Sequence, residues 1–125
     1  MSKALIFVYN ANSNPKSVLL DVAHKILKPT TYDCNLCALT YGKLTEKRSW
    51  RKFRKNASIP MTFLHKDEFE KQFSSKFLPK YNFPIIFYQN HYDLETLLHH
   101  QQINKFETTE ELIDAISKQL DLASK

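Results

Sequence analysis

Six consecutive apolar residues, Ala4-Leu-Ile-Phe-Val-Tyr9, set the first limit on how this chain folds. A β-forming run with no polar position has no face to give to water. It predicts a strand buried on both sides, central in a parallel or mixed sheet. Asn10–Asn14 follows as a polar loop at the strand's carboxyl end. Asn14 and Pro15 then read as an N-cap and a first helical proline. From Ser17 to Leu27 the residues Val18, Leu19, Val22, Ala23, Ile26 and Leu27 share one helical face, and Pro29 stops the helix. Strand, loop and amphipathic helix make the first half of a β-α-β unit.

Thr31–Gly42, TYDCNLCALTYG, comes next and holds both cysteines and the only glycine. Asp33 is placed to cap a short helix running through Thr40. Thr45 is placed to cap a basic helix with Trp50 and Phe53 on one side. Ile59–Leu64 predicts a second strand with Pro60 near its start, where a missing donor does least harm. Asp67 and Glu70 suggest a capping-box start to a helix bearing Phe69 and Phe73. Ser74–Asn82 reads as a loop, and Phe83–Tyr88 as a third strand beginning beside Pro84. After a turn over Gln89–Asp93, Leu94–Leu98 pairs as a hairpin partner. Thr108-x-x-Glu111 opens a last amphipathic helix with Leu112, Ile113, Ile116 and Leu120 on one face.

At 125 residues the chain is most simply one domain, large enough to bury a core without a metal or disulfide staple. With one glycine, the chain has neither the P-loop, which needs two, nor the dinucleotide fingerprint, which needs three. The apolar run at Ala4–Tyr9 is far short of the ~20 residues of a membrane span, and no small-residue cleavage site follows it. A cytoplasmic protein with no membrane partner is therefore expected. In a reducing compartment, two cysteines three positions apart are redox or metal chemistry more often than a structural framework.

With the cysteine segment set aside, the element order is β-α-β-α-β-β-α. That order resembles the thioredoxin-like fold, and Phe83-Pro84-Ile-Ile-Phe-Tyr88 resembles the strand that carries its active-site cis-proline. The resemblance implies a three-layer α/β sandwich with a four-stranded mixed sheet, spanning 1–125 with a cysteine-containing insert at about 30–57. It also makes Pro84 the candidate cis-proline. Thioredoxins carry their C-x-x-C where the first strand turns into its helix. Here that junction reads Tyr9-Asn-Ala-Asn-Ser-Asn-Pro-Lys16, so the dithiol lies instead beyond the helix. Thr31–Gly42 also resembles a family of small uncharacterised bacterial proteins sharing T-Y-x-C-N-L-C-A-L-T-x-G, some of which carry a GTPase label.

Three readings of Cys34-Asn35-Leu36-Cys37 stand side by side. In the first, the pair exchanges disulfides with a protein thiol partner or senses redox state. Cys34 is then the nucleophile, its thiolate favoured by the helix N-terminus and nearby lysines, and Cys37 the resolving thiol. In the second, Cys34 and Cys37 join His24 in holding zinc or another soft transition metal, with His65 or solvent completing the set. In the third, both are small buried hydrophobes that need no cofactor. Separately, Lys43–Lys55 holds seven Lys or Arg in thirteen positions against Glu46 alone. The helix over 45–55 is thus a candidate surface for nucleic acid or an acidic protein. His91, His99 and His100 read as turn and surface residues.

Overall fold

A computed structural model describes residues 3–10, 34–41, 46–73, 81–90 and 93–123 of the chain. The helix expected over 17–27, with His24 on it, and the asparagine-rich loop after Asn10 lie outside the described residues. The architecture is mixed α/β around a four-stranded sheet of order β2-β1-β3-β4. β1 (Lys3–Tyr9) is internal, as its unbroken apolar run requires. It pairs parallel with β2 (Met61–His65), from Leu5 opposite Met61 to Tyr9 opposite His65. On its other side it pairs antiparallel with β3 (Ile85–Asn90), from Lys3 opposite Asn90 to Val8 opposite Ile85. β4 (Asp93–Leu98) pairs antiparallel with β3, from Asp93 opposite Asn90 to Leu98 opposite Ile86.

Helices complete the layers. In chain order they are α1 (Asn35–Thr40), α2 (Arg48–Asn56), α3 (Lys66–Gln72), α4 (His100–Ile103) and α5 (Thr109–Ala123). Side chains alternate across a strand, and the two faces of β1 belong to different cores. Leu5, Phe7 and Tyr9 pack with Leu36, Leu39, Trp50, Ile103, Leu112 and Ile116, beneath α1, α2 and α5. Ile6 and Val8 pack with Ile85, Phe87 and Phe69, the last supplied by α3. Aromatic rings fill both sides. Phe7 stacks on Phe63 at 4.8 Å and meets Trp50 edge-on, while Phe69 stacks on Phe87 at 5.2 Å. A register shift between Ile86 and Phe87 sets Leu98 opposite Ile86 and Thr96 opposite Phe87. The extra residue, Leu97, bulges, so Leu97 and Leu98 both reach the first core.

Several boundaries differ from the expected ones. The basic helix begins at Arg48 with Lys47 as cap, three residues beyond Thr45, because Glu46 is held extended in a bridge to Tyr41. β2 begins after Pro60, whose carbonyl still accepts the Leu5 N–H at 2.9 Å. The capping box of α3 is His65 with Glu68, since β2 runs straight into the helix and leaves Asp67 inside it. His99 is not merely a surface residue: it caps α4, its ring accepting the Gln102 N–H while the Gln102 side chain accepts the His99 N–H. Thr108 and Glu111 cap α5 reciprocally, as their spacing predicts. Among the described residues no helix is long and apolar enough to cross a membrane.

Candidate functional site

Cys34 caps α1, and its Sγ accepts the backbone N–H of Cys37 at 3.3 Å. The cap is the cysteine itself rather than Asp33. The same Sγ is bonded to Sγ of Cys37 in a disulfide, with the two Cα atoms 5.2 Å apart. One turn of helix makes this closure possible, because residues three apart lie on one face. The two sulfur-bearing residues differ in access. Cys34 is 1% exposed within the first core, whereas Cys37 is half-buried at its edge.

The helix that holds this pair is too short to persist on its own, and tertiary contacts fix it. Leu36 and Leu39 are buried against the sheet. The Asn35 amide reaches across the chain, Nδ2 donating to the carbonyls of Ile103 at 2.7 Å and Phe106 at 2.9 Å. Thr109, buried at the start of α5, donates from Oγ1 to the carbonyl of Leu39 at 2.6 Å. Thr40 donates back to Leu36 at 2.8 Å and lies near the Tyr9 phenol. Burial pushes that phenol far above its usual pKa, outweighing the opposing effect of Thr40, so Tyr9 is a neutral prop. Asn35, Thr109 and Tyr9 are positioning residues with no local sequence signal. The first two have partners about seventy positions away.

From α1 the chain passes to α2 through the Tyr41–Glu46 bridge and a hydrogen bond from the Lys47 N–H to the Thr40 carbonyl at 2.8 Å. Arg54 clasps Glu46 with two bonds, Nε to Oε2 at 2.8 Å and Nη2 to Oε1 at 2.9 Å. This fork holds the Glu46 carboxyl below the usual range, and the same contact raises Arg54.

The Phe83–Pro84 peptide bond is cis. Pro84 is buried and directly precedes Ile85, the partner of Val8. It therefore lies at the carboxyl end of β1, the end that α1 also meets through Thr40 and Tyr9. His65 is engaged by Glu68, with Nδ1 at 2.9 Å from the carboxylate. The backbone N–H and then the ring of His65 lower Glu68. With their sulfurs joined, Cys34 and Cys37 present no thiolate to a metal, and His24 lies outside the described residues. Among the described residues no three His, Cys, Asp or Glu cluster in a metal-binding arrangement. A cleft of about 540 Å³ opens between the end of α2, the Ala57–Pro60 link and α5. No residue of α1 lines it.

Comparison with protein-family models, with curated proteins and with solved structures finds no match for this chain.

Proposed function

We propose that the chain is a thioredoxin-like thiol–disulfide exchange protein whose working pair is Cys34–Cys37, with Cys37 the sulfur that meets the partner. The observation that carries this reading is a disulfide across one helical turn whose two ends differ in access. The strand order and directions support the thioredoxin-like part. β1 is central, β2 is parallel to it, and β3 and β4 form an antiparallel hairpin on its other side.

The unequal burial favours roles opposite to those expected from sequence. A partner thiolate attacks Sγ of the accessible Cys37, forming a partner–Cys37 bond as the Cys34–Cys37 bond breaks. The bonding pair leaves with Sγ of Cys34 as a thiolate. The Cys37 N–H that already points at that sulfur stabilises the charge, and a lower leaving-group pKa speeds exchange. The partner's second thiolate then attacks its own sulfur in the mixed disulfide and releases Cys37. Two electrons and two protons pass from the partner dithiol to the cysteine pair, and the partner leaves as a disulfide.

Equilibration in dithiothreitol buffers of graded potential, followed by thiol alkylation and mass measurement, tests the proposal. One cooperative two-electron transition with the fold retained is expected. A pair that never closes, or closes only with loss of folding, overturns it. The roles are tested by trapping. Cys34→Ser should accumulate a stable mixed disulfide with a model disulfide peptide through Cys37, and Cys37→Ser should react at least tenfold more slowly because its remaining sulfur is buried. Equal trapping by the two variants counts against the assignment.

A further inference from the structure

The basic face of α2 has no part in that exchange chemistry. Lys47, Arg48, Arg51, Lys52 and Lys55 are all exposed. Among the described residues none of them has an ion-pair partner, because Glu46, the one acid of this stretch, is taken by Arg54. Lys47, Arg51 and Lys55 recur every fourth residue, with Arg48 and Lys52 in the row beside them. Such rows run along one side of a helix, giving a cationic stripe about 12 Å long at ~1.5 Å per residue.

The stripe starts where the cysteine helix ends. The Tyr41 N–H bonds the Cys37 carbonyl, and the Lys47 N–H bonds the Thr40 carbonyl. One helical turn and one hydrogen bond thus separate Cys37 from the first cation, a path of roughly 10 Å. A molecule whose sulfur meets Cys37 therefore lies about one Debye length, ~10 Å at 0.1 M salt, from the near end of the stripe.

One feature favours an acidic polypeptide over nucleic acid. Trp50 is wholly buried and Phe53 packs against it at 5.5 Å, so α2 offers no free ring on which a base could stack. A stripe of about 12 Å matches some four residues of an extended peptide at ~3.3 Å each.

We propose that α2 recognises an acidic segment flanking the reactive cysteine of a protein partner, so that Asp and Glu side chains lie along Lys47–Lys55 while the partner's thiol reaches Cys37. This substrate class rests on the exchange reading above. The stripe supplies attraction and orientation, raising the encounter rate more than the final affinity.

The test uses two synthetic dithiol peptides that differ only in four flanking residues, all Asp/Glu in one and all Ser in the other. The rate at which each reduces the Cys34–Cys37 disulfide is followed against ionic strength. The acidic peptide should react about tenfold faster at low salt, with the difference vanishing near 0.5 M. The triple variant Arg48→Glu, Arg51→Glu, Lys52→Glu should lose the preference while its reduction by uncharged dithiothreitol is unchanged. Equal rates for the two peptides, or a preference that survives charge reversal, overturn the proposal. If charge reversal perturbs the far-UV spectrum, the same positions changed to Gln give the comparison. Serine-for-cysteine versions of the peptides, measured by fluorescence anisotropy, keep the two readings apart. Selective binding of the acidic peptide upholds docking even where exchange fails, and its absence sinks docking even where exchange succeeds. Tighter binding of an oligonucleotide of equal charge, lost in the triple variant, would transfer the surface to nucleic acid and overturn the proposal as stated.

Discussion

Asn35 sits between the two cysteines in sequence, yet its side chain serves a carbonyl pair on the far side of the chain. Its amide supplies both donors to the carbonyls of Ile103 and Phe106, the first of which also accepts the Phe106 N–H at 3.2 Å. Asn35→Ala removes two hydrogen bonds and takes from the Phe106 carbonyl its side-chain donor, which should cost about 1–2 kcal/mol in urea unfolding. The same change should loosen the cysteine helix before the sheet, seen as faster amide exchange over 35–40. Glu46 carries a pH signature. Its carboxyl is held below the ordinary value of 4.5 by the Arg54 hydrogen bonds. A depressed folded pKa gives stability that is complete above the unfolded value and is lost as pH falls through the folded one. Thermal melts should thus decline on acidification below about pH 5 more steeply for the native chain than for Glu46→Gln, with the curves parallel above that pH. At this scale the cysteine spacing was legible, and so was the one acid among the cations. Asn35 and Thr109 were not, because a hydrogen bond to a residue about seventy positions away leaves no periodicity.

Among the elements, the strands were the most readable, since an unbroken apolar run or a period of two survives any tertiary context. β1 lies where its residues put it, while the hairpin begins later, at Ile85, and runs into the expected turn, pairing Gln89 with Leu94 and Asn90 with Asp93. Helix starts moved, and each shift has a local competitor. Glu46 is diverted into a bridge with Tyr41, so α2 begins late. β2 continues to pair through His65 opposite Tyr9, so α3 begins with no intervening loop and with histidine as its cap. α2 itself is a charged helix anchored by one large side chain. Trp50 meets Phe7, Phe53 and Phe63. Trp50→Ala should cost about 3–5 kcal/mol, measured by denaturant unfolding, and should abolish the acidic-peptide preference by releasing α2 from the sheet. Trp50→Phe should retain most of the stability and all of the preference.

For the whole molecule, the arrangement of two cores about one sheet bears on what a redox cycle does to the fold. The disulfide closes a loop of only a few residues, so chain entropy gives it about 2 kcal/mol of stabilisation. Leu36, Leu39, Asn35 and Thr109 hold α1 through contacts that do not involve the sulfurs. Reduction should lower the melting temperature modestly and leave the far-UV spectrum of the sheet intact; collapse of the sheet on reduction would contradict this layering. The sheet and its covering layers were legible in the chain. The direction of the cysteine pair was not, because which sulfur is shielded depends on how α1 lies against α5 and the sheet. That same packing sets the only tryptophan and Cys34 in one core. Sulfur–sulfur bonds quench indole emission at close range, which makes Trp50 a natural reporter to follow. A change in Trp50 emission on reduction of the disulfide is the expected outcome, and unchanged emission would place the sulfurs out of reach of the indole.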